Sequence, residues 1–221
     1  MHRIAAAING RPVLAPDLPG HGKRAAETFT MPGAVDAISD AIDEVGGRAV
    51  VAGISLGGYA SMATAAAHPD QVSGLVLMGS TAQPSPLLAA PFRGFGAATS
   101  VLPAQAAVIS KWVTRLALGE QVASDMEAGG LALHSIADVV DEVARFDALG
   151  ALRSYPGPVL LANGGRDQFR IHEKTFAALS PRTTLTIIPR ASHLYPLIQP
   201  EMTGAMIESF AAAEDSDCQS A

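Results

Sequence analysis

Alternating strand and helix signals predict an α/β fold, a mostly parallel sheet with helices on both faces. Three observations carry the prediction. Short apolar or β-branched runs recur at Ala49–Ala52, Leu75–Met78, Val159–Ala162 and Leu185–Ile188. Helical patterns separate them. Between Gln83 and about Gly150 the strand signal stops, and that stretch is expected to be a helical insertion.

The elements follow from local chemistry. Residues 4–8 read as the end of a helix stopped by Asn9-Gly10. Pro12–Ala15 reads as a short strand running into the turn-rich loop Pro16-Asp17-Leu18-Pro19-Gly20-His21-Gly22. A helix fits Met31–Val45, with Thr30 as its cap, Pro32 in its first turn and Gly46 after its end. Val35, Ile38, Ile42 and Val45 give it an apolar stripe. Gly57–Ala67 is the helix after the Ala49 strand. In the insertion, Pro84, Pro86, Pro91 and Pro103 interrupt the start, and helical stretches follow near 104–118, 122–133 and 136–149. The last helix spans about Pro200–Ala213. The expected organisation is a core of 1–83 and 150–213, a cap over 84–149, and a disordered acidic tail at 214–221.

Composition bounds the function. The chain has 221 residues, 48% hydrophobic and 16% charged, which suits one domain with a sizeable core and excludes a disordered chain. A net charge of −6 provides no basic field for nucleic acid or anionic lipid. The one cysteine, Cys218, rules out an internal disulfide framework and a cysteine-rich metal site. Ala49–Ala67 lacks charge over nearly a membrane-spanning length, but its glycines and its β-branched start read as strand, turn and helix. The N-terminal apolar run is too short for a signal peptide, so a soluble cytoplasmic protein acting on a small molecule is expected.

One motif carries chemistry. Gly53-Ile54-Ser55-Leu56-Gly57 is G-x-S-x-G, with a strand directly before it and a helix directly after. Such a nucleophile elbow holds a serine on a strained turn, and its glycines let strand and helix approach. The turn also points the backbone N–H of Leu56 where it can stabilise an oxyanion. A serine nucleophile needs a base, and the base needs an orienting acid. Asp167 follows the Val159 strand in Gly164-Gly165-Arg166-Asp167, and His193 follows the Leu185 strand. Each lies where parallel sheets place reactive groups, past the carboxyl end of a strand. The plainer alternatives are an ordinary serine in a glycine-rich turn, a turn-forming Asp167 and a loop histidine bonded to backbone. Gly20-His21-Gly22-Lys23-Arg24-Ala25 matches a dinucleotide fingerprint, but Pro19 and the Thr28–Pro32 break leave no helix for it to open.

With these motifs in this order, the chain resembles an α/β-hydrolase. Val13–Gly22 is similar to the strand and loop before the elbow helix, Gly53–Gly58 to the elbow, Gly164–Asp167 to the acid loop, and Ala191-Ser192-His193 to the histidine loop. The resemblance implies a Ser55–His193–Asp167 triad hydrolysing an ester-like bond, with no metal or organic cofactor and a cap at 84–149. The apolar cap suggests a small or medium apolar substrate. Members of the family normally carry about three strands before the segment matching Val13–Ala15, and the loop after one of them donates the second oxyanion N–H. Only about a dozen residues precede Val13 here. The chain is therefore expected to be N-terminally truncated relative to the family, with a gap in the sheet and weak turnover. The alternative function is a non-catalytic, hydrolase-like protein without a complete oxyanion hole.

Overall fold

The computed structural model describes residues 1–101, 115, 119–128 and 135–219. The chain divides into two compact units. The first comprises 1–16, 38–83 and 147–221, and the second 17–37 and 84–146.

The first unit is built on four parallel strands in the order β1-β2-β3-β4: Ala49–Ile54, Val72–Met78, Val159–Gly164 and Thr183–Ile188. The central strands β2 and β3 are buried on both faces, as a doubly covered parallel sheet requires, while β1 and β4 are only partly buried. Val76, Met78, Leu160 and Ala162 pack with Ile4 of α1 (His2–Ala6) and Ile207 of α10 (Pro200–Gln219). On the other face α3 (Leu56–Ala67) crosses β1 and β2 and meets α7 (Ala148–Ser154). Seven of the twelve α3 residues are Ala or Gly, which lets this helix lie close to the sheet. Two short helices complete the unit, α8 (Glu173–Ala177) and α9 (Tyr195–Ile198). Because all four strands are parallel, the loops after β1, β2, β3 and β4 leave the same edge of the sheet.

The second unit holds the loop 17–30, the start of α2 (Met31–Glu44), α4 (Pro86–Val101), α5 (Glu120–Ala128) and α6 (Ile136–Arg145). Helix α4 packs on α6, where Arg93 pairs with Asp141 at 2.7 Å. Thr30 caps α2 through a bond from the Gly33 N–H, as its position suggested. Glu142 accepts from the Met31 N–H at 2.9 Å, satisfying another N-terminal donor of that helix.

Four details differ from the sequence reading. Pro12–Ala15 is not a strand: Val13 and Leu14 are 37% and 47% exposed, and β1 is an outer strand of the described sheet. Pro12 and Pro16 remove two backbone donors from a run of five, so little pairing capacity remains. Pro86 and Pro91 do not break the start of the insertion either, and Pro103 lies outside the described residues. Pro86 opens α4, where a missing N–H costs nothing, and Pro91 lies inside the helix. The stretch 136–149 is two helices, because Phe146 is extended and Asp147 caps α7 by accepting from the Gly150 N–H. The acidic end, expected to be disordered, continues α10 to Gln219, with Glu214 3.6 Å from Arg182 and Asp215 3.2 Å from Arg11. The helix expected over 104–118 lies outside the described residues except for Arg115.

Among the described residues no helix is long and apolar enough to cross a membrane.

Candidate active site

The turn between β1 and α3 holds Ser55 at φ 52°, ψ −113°, a conformation that L residues seldom adopt. Two contacts explain how it persists. The Ser55 N–H donates to the Met78 carbonyl at 2.8 Å, continuing the β1–β2 ladder one residue past Ile54. The Ser55 carbonyl accepts from the Gly58 and Tyr59 N–H groups at 2.9 and 3.3 Å. Two of the neighbouring glycines, Gly53 and Gly58, are sterically required, whereas a Cβ on Gly57 would meet nothing within 4 Å. A Cβ on Gly53 would run into the peptide of Gly57, and one on Gly58 into the Ser80 hydroxyl. Leu56 is the first residue of α3, so its N–H has no carbonyl one turn earlier to bond within the helix.

After β3 the chain turns through Gly164-Gly165 and presents Asp167. Its side chain is fully buried, and Oδ1 accepts from the Phe169 N–H at 2.8 Å. After β4, His193 brings Nδ1 to 2.9 Å from Asp167 Oδ2. A carboxylate can only accept, so this bond puts the ring proton on Nδ1 and leaves Nε2 with a free lone pair. The Phe169 ring meets the imidazole edge-on, with centroids 4.6 Å apart.

Gly79 joins the two halves of the site. It directly follows β2, next to the Met78 carbonyl that binds Ser55, and has φ +64°. A Cβ here would lie 2.8 Å from both Cε1 and Nδ1 of His193 and 3.0 Å from Asp167 Oδ2. The imidazole therefore rests on the bare Gly79 backbone, one residue along β2 from the partner of Ser55. Among the described residues no hydrogen bond joins Ser55 Oγ to His193 Nε2. Such bonds are often long in unliganded sites.

Sequence reasoning passed over several residues here. Asn163 is fully buried in β3, where it donates to Thr81 Oγ1 at 2.9 Å and to Glu173 Oε2 at 3.1 Å. Its Oδ1 accepts from the Gly79 N–H at 3.2 Å. Arg170 clamps Glu173 with two bonds of 2.7 and 2.6 Å and donates to the Gly165 carbonyl at 2.7 Å. The Arg170 guanidinium holds the Glu173 carboxyl below its ordinary pKa. A lone Asn in the apolar run Val-Leu-Leu-Ala-Asn was the signal that could have drawn attention to this cluster. Among the described residues no group of three His, Cys, Asp or Glu is arranged to hold a metal ion.

Comparison with known proteins decides the family. The model of the Alpha/beta hydrolase family matches residues 1–204. The chain belongs to the alpha/beta hydrolase family. Within that family it is 30% identical, over 221 aligned positions, to the pimeloyl-[acyl-carrier protein] methyl ester esterase of Neisseria meningitidis serogroup C, covering 90% of this chain and 82% of that protein. It is also 44% identical over 79 residues to Lipase LipV of Mycobacterium tuberculosis, a match spanning 35% of this chain and 30% of the lipase. Among solved structures, a thermophilic esterase from Thermogutta terrifontis aligns with a TM-score of 0.69 at 22% identity, over 93% of this hydrolase and 76% of the esterase. That last likeness concerns the fold alone.

Proposed function

We propose that this hydrolase is a carboxylic ester hydrolase with Ser55 as nucleophile, His193 as general base and acid, and Asp167 as the residue that orients His193. The observation that carries the reading is the Asp167–His193 pair seated on Gly79, beside the strained turn that bears Ser55. Ser55 Oγ attacks the ester carbonyl and gives its proton to His193 Nε2. The carbonyl oxygen becomes an oxyanion, which the Leu56 N–H stabilises. His193 returns the proton to the departing alcohol as the tetrahedral intermediate collapses, leaving acyl-Ser55. A water that gives its proton to His193 then attacks the acyl group, and the acid leaves as Ser55 regains a proton.

Asp167 stays ionised throughout and stabilises the imidazolium that forms twice in the cycle. The esterase relatives favour an ester over an amide or a carbon–carbon bond. The block 84–149 serves in this reading as the cap that selects a small or medium apolar acyl group. The test is a panel of p-nitrophenyl esters of increasing acyl length, measured with the intact protein and with Ser55→Ala. Turnover that requires Ser55 and varies with acyl length supports the reading. Equal turnover by Ser55→Ala overturns it.

A further inference from the structure

We propose that Asn163 is a positioning residue for this reaction: braced by Glu173 and Arg170, it fixes the Gly79 peptide and thereby places the His193 ring relative to Ser55. The inference rests on the triad reading above. It starts from an energetic oddity. Asn163 is a polar side chain with no exposure in a third strand whose other side chains are apolar. Burying an amide is costly unless its hydrogen bonds are made. Here Oδ1 and Nδ2 are both engaged, and the partners are informative. Each belongs to a segment that touches the Asp167–His193 pair or leads directly into it.

Oδ1 accepts from the N–H of Gly79 at 3.2 Å, a donor it shares with the Ala162 carbonyl at 3.3 Å, and Gly79 is the backbone on which the imidazole rests. Nδ2 donates to Thr81, two residues further along the same loop. Thr81 Oγ1 in turn lies 3.4 Å from the carbonyl of Phe169, whose ring packs against His193 and whose N–H holds Asp167. The second Nδ2 bond goes to Glu173. Glu173 is gripped by Arg170, and Arg170 binds the Gly165 carbonyl at the start of the acid loop. The bonds run from Gly165 through Arg170, Glu173 and Asn163 to Gly79 and Thr81, and Thr81 returns to Phe169, the neighbour of Arg170. This network ties the loop after β2 to the loop after β3. The charged pair in it is internally neutralised, and charge-assisted bonds of this kind are the stronger ones. None of its members touches the reacting atoms. Their effect is to limit how far the shelf beneath His193 can move.

The experiment uses the full chain and p-nitrophenyl butyrate. Asn163→Asp keeps an acceptor for Gly79 but sets a second carboxylate against Glu173 and removes the donor. We expect kcat to fall at least tenfold, with KM within twofold of the parent. The pair Asn163→Asp with Glu173→Gln restores one donor and one acceptor with their direction reversed, and should regain most of that kcat. A residue needed only for folding would lower the yield of active protein without this rescue.

If Asn163→Asp folds poorly, Glu173→Gln alone reads the brace, with an expected threefold or greater loss of kcat at constant KM. Unchanged kcat in the folded single variants, or a double variant no better than Asn163→Asp, overturns the proposal. Ser55→Ala and His193→Ala are assayed in parallel. Parental turnover in either of those two would instead overturn the triad reading itself.

Discussion

Gly79→Ala tests whether the imidazole seat is functional. Two costs follow from the structure. The residue has φ +64°, where an alanine costs roughly 1–2 kcal/mol. The new Cβ would also sit 2.8 Å from His193 Cε1 and Nδ1, whereas ordinary contacts begin at 3.4 Å. Imidazole or backbone must therefore give by 3.4 − 2.8 = 0.6 Å. Asp167 Oδ2, at 3.0 Å, blocks part of the retreat. Such crowding adds about 1–3 kcal/mol, so a total destabilisation of about 2–5 kcal/mol is expected. Misplacement of catalytic groups by about 1 Å costs on the order of 10²-fold, so a shift of this size should lower kcat by about tenfold or more.

Gly47→Ala is the control. It has φ +83° and nothing within 4 Å of its Cβ position, so it should lose only about 1–2 kcal/mol and keep full turnover per folded molecule. Urea unfolding by circular dichroism gives the stabilities, and p-nitrophenyl butyrate hydrolysis, normalised to folded protein, gives the rates. If Gly79→Ala retains the parental kcat, or if Gly47→Ala loses as much, the seat has no functional role.

Three further outcomes follow from the same geometry. Gly53→Ala drives a Cβ into the peptide of Gly57 and should cost more than about 3 kcal/mol or abolish folding, measured as soluble yield and urea midpoint. Asp167→Asn can keep its bond from Phe169 but would present an N–H to His193 Nδ1, forcing the tautomer that cannot act as base, so kcat should drop on the order of 10⁴ with stability little changed. Burial pushes the Tyr155 hydroxyl up to about 12 and those of Tyr59 and Tyr195 higher still. The unfolded chain ionises its tyrosines near pH 10 while the folded chain holds them neutral, so stability present below about pH 10 should be lost as pH rises beyond it. Urea titrations from pH 8 to 11 measure the slope, and a flat profile would contradict the burial argument.

Much of this architecture is legible in the sequence because it depends on local chemistry. The apolar runs at Val159 and Leu185 read as strands of a parallel sheet, and Gly53 and Gly58 are glycines because Cβ atoms there would collide with Gly57 and Ser80. Asp167 and His193 were readable because each closely follows such a strand. What was not legible depends on distant partners. Pro12–Ala15 has a strand-like composition, yet strand formation needs an adjacent ladder, and no local pattern encodes its absence. Gly79 looks like any glycine after a strand until His193, more than a hundred residues later, is found lying on it. Asn163 is similar, because its partners Gly79 and Thr81 lie in the loop after β2 while Glu173 opens α8. The helical continuation of the acidic end rests on Arg182 and Arg11, which sequence periodicity does not reveal.

The central claim is that Ser55 is the nucleophile, activated by His193. The most direct measurement is to incubate the full chain with a fluorophosphonate and map the modified peptide by mass spectrometry. The account predicts a single stoichiometric adduct on Ser55, lost in Ser55→Ala and at least a hundredfold slower in His193→Ala. An adduct on another residue, or labelling of Ser55 at the same rate without His193, would contradict it.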